Sequence, residues 1–369
     1  MRLYQLSTGA YTPFAIRAPT ALDRNRLLET RWRHHGAHAS EHPATLHGHS
    51  TMTKAKITSW RALFGRAGAT AGASQLPTPL LANSSANPRA ATNMTATHVT
   101  APTQFIEASG VRFAYRRFGK DSGAPLVLMQ HFRGTMDNWD PAITDGFAKD
   151  RPVILFNNAG VSSTSGETPE TINAMGEHAA DFVRALGLSQ ADVLGFSLGG
   201  MVAQAFAMRN PHLVRRLILV GTGPRGGEPT QDPGVAQHSR GNSTQEDFLY
   251  LFFAPSAASQ SAGRAFWERR HSRKQDVDPA CSAQTMKAQL AAYADWLQVR
   301  DERFAELRSI TQPTLVVNGN RDVMIPTINS FNLSQHIPNS QLIIYPDSGH
   351  ASHFQYPDLF LSHARIFLD

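Results

Sequence analysis

Three polar residues in the second half of the 369-residue chain are spaced as acyl-transfer chemistry requires. Ser197 stands in Gly195-Phe-Ser197-Leu-Gly199, between the apolar run Ala191–Phe196 and a stretch rich in small residues from Leu198 to Asn210. A G-x-S-x-G element on a strand-to-helix turn pushes its hydroxyl out at the carboxyl end of the strand, and bulk at the glycines would collide with neighbouring backbone. A chain of this length shows that spacing by chance roughly one time in ten. The weight therefore rests on the strand before it and the helix after it. A serine needs a base to take its proton. His350, in Ser348-Gly349-His350, follows the apolar run Gln341–Tyr345, with His353 as its rival three residues on. The base needs an orienting carboxylate. Asp322, in Asn318-Gly-Asn-Arg-Asp322, follows the run Thr314–Asn318 and is favoured over Asp347, which is too close to His350 in sequence to reach its ring. Negative charge developing on the substrate oxygen needs backbone donors. Leu198 N–H supplies one, and the loop Gln130-His-Phe-Arg-Gly134 supplies the other.

These residues need a scaffold that brings strand ends together. The sequence predicts a hairpin from Gln104–Ala108 and Val111–Phe118, turning at Ser109-Gly110. Short apolar runs at Leu126–Met129 and Val153–Phe156 read as strands buried on both faces. Helical spacing covers Trp139–Lys149. Thr168-Pro-Glu has the form of a helix start running to about Leu186, with Thr168 as N-cap. Further strands are expected at Ala191–Phe196, Arg216–Val220, Thr314–Asn318 and Gln341–Tyr345, and a last helix at about Asp358–Phe367. This alternation predicts a parallel sheet with helices on both faces. Residues 221–308 break the rhythm with helical stretches around Glu246–Phe253, Ala262–His271 and Gln284–Leu297, read as a helical cap over one end of the sheet.

From about Gln104 to Asp369 the chain resembles an α/β-hydrolase of the cofactor-free esterase, lactonase and perhydrolase group. The resemblance rests on Leu126–Met129 with its loop, Phe156-Asn-Asn-Ala-Gly160, Gly195-Phe-Ser197-Leu-Gly199, Gly319-Asn-Arg-Asp322 and Gly349-His350. It implies an eight-stranded, mostly parallel sheet with a helical cap. It also implies a triad of Ser197, Asp322 and His350 in the chain order of that fold, and no cofactor. Phe132 matches the residue whose N–H completes the oxyanion site. Gln130-His131 replaces the usual His-Gly, which keeps Arg133 open as the alternative donor. Asn157-Asn-Ala-Gly160 stands where an aspartate and an arginine are common.

The expected reaction is hydrolysis of a carboxylic ester or lactone through an acyl-enzyme. Peroxide as acceptor, carbon–carbon bond hydrolysis, and a non-catalytic ligand-binding member of the fold are the competing readings. Phe196, Phe252, Trp267 and Trp296 are candidates for an apolar substrate pocket. Arg269, Arg270, Arg273 and Lys274 offer charge that would attract an acidic substrate, but a solvated helix face is the favoured reading.

Composition excludes several classes. No apolar run approaches the roughly 18 residues of a membrane-spanning helix. One cysteine, Cys281, allows neither an intrachain disulfide nor a cysteine-based zinc site, and no metal site is expected. The net charge of +6 suggests nucleic acid until it is located. Residues 1–103 hold 11 Lys and Arg against 3 Asp and Glu, and the remainder holds 24 against 26. The excess thus belongs to a basic segment, residues 1–102, expected to be a disordered extension, with Met94 as an alternative start. Its scattered charges do not form a nucleic-acid arm. The expected partner is a small molecule, not nucleic acid or membrane. The expected location is cytoplasmic, or organellar if the basic segment is a transit peptide.

Overall fold

The structure is a computed structural model and describes residues 96–239 and 243–369. Eight strands form one sheet: β1 (Gln104–Ala108), β2 (Val111–Gly119), β3 (Leu126–Met129), β4 (Pro152–Phe156), β5 (Ala191–Phe196), β6 (Val214–Val220), β7 (Thr314–Gly319) and β8 (Ser340–Tyr345). Their order is β1-β2-β4-β3-β5-β6-β7-β8. β2 runs antiparallel to β1 and β4, and every other pairing is parallel. The alternation predicted a parallel sheet, and the eight strands, mostly parallel, are those the family resemblance implies.

The central strands are apolar on both faces because helices cover both. On one face Val127, Met129 and Ile154 pack with Met175 and Phe182 of α2 (Ile172–Ala185) and with Val202 and Phe206 of α3 (Leu198–Arg209). On the other, Leu126, Leu128 and Val153 pack with Phe147 of α1 (Pro141–Ala148) and with Phe360 and Ala364 of the terminal helix Pro357–Leu368. Burying one such aromatic side chain is worth roughly 1.5–3 kcal/mol. The start of α2 differs from expectation. Thr171, not Thr168, caps it by accepting from Ala174 N at 3.2 Å. The Thr168 hydroxyl instead donates to Ala159 O at 2.9 Å, so its capping group is already engaged.

Between β6 and β7 lie α4 (Pro233–His238), α5 (Gln245–Phe252), α6 (Ala257–Arg270) and α7 (Ala283–Trp296). α4 adds to the expected cap helices; its Pro-Gly start looks like a turn, but Asp232 caps it through Gly234 N at 2.8 Å. The basic run across the end of α6 is not the solvated face favoured from the sequence. Arg269 pairs with Asp140 at 2.6 Å, Arg270 is largely withdrawn from solvent, and the Arg273 side chain is only 3% exposed. Lys274 alone of the four is exposed.

The basic segment expected at residues 1–102 lies outside the described residues up to 95. Its boundary is nonetheless too late. His98 and Ala101 are buried, and Arg273 donates to the carbonyls of His98, Val99 and Ala101 at 2.9–3.0 Å. His98 N donates to Asp145 at 2.7 Å. Composition could not show this, because the segment is held by backbone carbonyls and by single buried residues, His98 and Ala101, whose partners lie far away in sequence.

Candidate active site

The turn at Ser197 is built by close backbone approach. Ser197 takes φ 56° and ψ −120°, a region costly for any side-chain-bearing residue. It is held there by Ser197 N donating to Val220 O at 2.9 Å and by the Thr222 hydroxyl donating to Ser197 O at 2.8 Å. A Cβ on Gly199 would lie 2.1 Å from Met129 O, so only glycine lets the loop after β3 run directly against the start of α3. That loop carries Phe132. Among the described residues no hydrogen-bond acceptor is assigned to the N–H of Leu198 or of Phe132. Arg133 N, the alternative, donates to the Gln289 side chain at 2.7 Å, while Arg133 itself adopts φ 61°.

The ends of β7 and β8 meet in the same way. A Cβ on Gly319 would stand 2.1 Å from Ser348 O, so glycine brings the Asp322 loop against the His350 loop. Asp322 Oδ2 accepts from His350 Nδ1 at 2.8 Å, and both side chains are fully buried. Asp322 Oδ1 accepts from Met324 N at 2.8 Å and Ile325 N at 2.9 Å, so both carboxylate oxygens are fixed. The two amide donors are the part of the site the sequence reading missed. The signal available was Asp followed by a turn, since aspartate commonly bonds the backbone two residues on. His350 Nε2 is buried without a partner among the described residues, and no hydrogen bond joins it to Ser197 Oγ. Such bonds are often long before substrate arrives.

The rivals are engaged elsewhere. Asp347 accepts from the Ser256 hydroxyl. His353 is fully buried among Phe196, Phe354 and Trp139, and burial holds it neutral, well below the ordinary histidine pKa. His131 is likewise pushed down to about 3 by burial, with its Nδ1 2.8 Å from Phe132 O.

A cavity of about 460 Å³ opens above Ser197. Phe252 and Trp267 line it, as expected. Phe196 and Trp296 do not. Phe196 is completely buried behind the site, its ring centroid 5.0 Å from that of His350. Trp296 is completely buried too, its Nε1 donating to Gly223 O at 3.2 Å and its face covered by Arg225. Phe196 adjoins Ser197 and Trp296 ends a cap helix, and neither position in the sequence distinguishes a wall from the layer behind it. The wall also carries Asp137 and Asp278, which the sequence did not single out, with His131 from the expected oxyanion loop and Arg270 from the basic run. Among the described residues no group of His, Cys, Asp and Glu is arranged to hold a metal, and no helix is long and apolar enough to cross a membrane.

Comparison with known proteins agrees with this arrangement. Residues 124–357 match the family model described as alpha/beta hydrolase fold. An alpha/beta hydrolase fold protein from Chitinophaga pinensis is 43% identical, with a TM-score of 0.70 over 74% of this chain and 99% of that one. The 2-hydroxymuconate semialdehyde hydrolase of Pseudomonas sp. strain CF600 is 26% identical over 71% of this chain and 92% of its own. A pimeloyl-acyl-carrier-protein methyl ester esterase from Nitrosomonas europaea is 31% identical over 46% of this chain and 68% of its own. With the sheet order, the strained serine turn and the histidine–aspartate contact already in place, the match over residues 124–357 means that the chain belongs to the α/β-hydrolase fold family.

Proposed function

We propose that the protein is a serine hydrolase acting on a carboxylic ester or lactone. The observation that carries this reading is the fully buried contact between His350 Nδ1 and a doubly anchored Asp322, at the strand ends that also present Ser197 to the cavity. Ser197 Oγ attacks the acyl carbon while His350 Nε2 takes its proton. Asp322 fixes the tautomer that leaves Nε2 free and stabilises the imidazolium that forms. The carbonyl oxygen becomes an oxyanion facing the N–H groups of Leu198 and Phe132, each such donor typically worth about 3–4 kcal/mol in the transition state. Arg133 N, already donating to Gln289, is the weaker candidate. As the tetrahedral adduct collapses, His350 returns the proton to the leaving alkoxide. Water, deprotonated by the same imidazole, then releases the acid and regenerates Ser197.

Purified protein should hydrolyse p-nitrophenyl esters, and Ser197→Ala should abolish this and prevent labelling by a fluorophosphonate. Undiminished turnover, or labelling at another residue, would remove the assignment. Carbon–carbon bond hydrolysis is the second reading, favoured by the likeness to the semialdehyde hydrolase along most of both chains. A carbon leaving group in place of alkoxide would need protonation at carbon, so turnover of a vinylogous diketone but not of any ester would select it.

A further inference from the structure

Arg270 ends α6 on the wall of the cavity that contains Ser197. Its Nε and Nη1 are out of contact with solvent and have no hydrogen-bond partner among the described residues. Among the described residues, three arginines near it in the fold are committed elsewhere. Arg269 pairs with Asp140. Arg273 holds three backbone carbonyls and Asp276, and Arg116 pairs with Asp137. Arg270 has only aromatic faces, with its guanidinium carbon 4.3 Å from the Phe248 centroid and 5.0 Å from that of Trp267. Arg270 is half-buried, and two guanidinium nitrogens withdrawn from water without a partner are costly to hold, the usual relief being a partner of opposite charge.

The rest of the wall fits a ligand that is anionic at one end. Asp137 and Asp278 also line the cavity, but Arg116 and Arg273 already oppose them. Arg133 adds a further positive charge on the same wall. Asp278 Oδ2 is buried and unpartnered, and burial raises the Asp278 pKa. Between Arg270 and His350 stand two aromatic rings. Phe248 lies 4.8 Å from Phe252, and Phe252 lies 5.6 Å from His350, centroid to centroid. The cavity is therefore polar at both ends and apolar between them.

We propose that Arg270 is a specificity-determining residue that binds a carboxylate of the substrate, separated by an apolar spacer from the bond that Ser197 attacks. This rests on the hydrolase reading above for the scissile bond, but not for the binding of the carboxylate. A guanidinium donating to a carboxylate replaces no existing contact, so the ligand gains charge-assisted hydrogen bonds without breaking any.

The test uses two ester pairs: p-nitrophenyl hydrogen adipate against p-nitrophenyl hexanoate, and p-carboxyphenyl butyrate against phenyl butyrate. These place the carboxylate on the acyl or on the alcohol part. In at least one pair kcat/KM should favour the acid by about 10- to 100-fold. Arg270→Met should erase that preference through KM, lowering kcat/KM at least about tenfold more for the acid than for the neutral ester. Arg270→Lys should keep part of it. Because the methionine removes a half-buried guanidinium with no hydrogen-bonded or ion-paired partner among the described residues, its Tm should be equal to or above that of the wild type. A purely structural arginine would lower Tm on substitution. The proposal is overturned if neither pair shows a preference that Arg270→Met removes, or if Arg270→Met depresses Tm and both esters alike. If no ester is turned over, the hydrolase reading fails and calorimetry decides the subsite alone. Adipate binding to the wild type and weakening at least tenfold in Arg270→Met upholds it, and equal or absent binding overturns it.

Discussion

Asp322 and Arg270 are two charged side chains within one active-site region, and the fold treats them in opposite ways. Both oxygens of Asp322 are engaged, by one imidazole and two backbone amides, all supplied from loops at the ends of β7 and β8. Arg270 has no hydrogen-bonding or ion-pair partner among the described residues, and the cap surrounds it with aromatic rings. A fully bonded charge is fixed in direction and suits a group that must orient another. An unbonded charge suits a group whose partner has yet to arrive. The sheet edge is thus finished before substrate binds, while the cap wall is left incomplete.

The largest effects should come from breaking the finished edge. Asp322→Asn keeps the shape but donates where the imidazole needs an acceptor, so kcat should fall by roughly 10⁴-fold with little change in Tm. A loss under about tenfold would remove Asp322 from the proposed mechanism. Gly199→Ala attacks the same edge through the backbone. Its Cβ would have to displace Met129 O from 2.1 Å, and the displaced loop carries Phe132. Small-to-large strain of this kind costs about 1–3 kcal/mol or more. Both Tm and kcat should fall, the latter because the two proposed oxyanion donors separate. An alanine variant with unchanged kcat would mean that Phe132 N–H takes no part.

How much of this could be read from the sequence follows the same division. The sheet edge was legible because its chemistry is tied to local backbone pattern. Ser197, Asp322 and His350 each follow an apolar run that reads as a strand, and glycines mark where the loops approach. The cap wall was not legible. Phe196 and Trp296 look like Phe252 and Trp267 in the sequence, and only packing separates the pair behind the site from the pair lining it. The four cations near the end of α6 form one run, yet their surroundings differ completely. Arg269 meets an aspartate far away in sequence, Arg273 meets the backbone of residues 98–101, and Arg270 meets rings. Periodicity records which residues face inward and carries no information about partners distant in sequence. Residues 96–102 were misjudged for the same reason, since backbone carbonyls have no sequence signature.

The Arg273 contacts give the next prediction. Arg273→Ala would leave the carbonyls of His98, Val99 and Ala101 without their donor and Asp276 without its pair. A loss of about 3–5 kcal/mol is expected. A chain beginning at Met94 keeps these contacts and should melt like the full chain. One beginning at Gln104 should behave like Arg273→Ala. If the Gln104 chain were as stable as the Met94 chain, residues 98–101 would be a passive strap rather than part of the domain.

The smallest expected effect concerns histidines that neither region uses as a base. His353 is fully buried, both its ring nitrogens lack partners among the described residues, and burial holds it neutral in the folded protein. His98, pushed down to about 4, and His131, at about 3, share that state. In the unfolded chain each would protonate near its ordinary value of about 6.5. The unfolded state therefore binds more protons below that value, and stability present above about pH 6.5 is lost progressively as pH falls towards the folded pKa of each. His353→Phe removes one of these liabilities and two unpartnered polar atoms while keeping a ring against Phe196 and Phe354. Its Tm should slightly exceed that of the wild type at about pH 7, and the gap should widen at about pH 5, where unfolded histidine is charged. The widening is the informative part. A constant gap would show only better packing, whereas a growing gap would show that His353 stays neutral inside the fold and leaves His350 as the histidine beside Ser197 that is paired with a carboxylate.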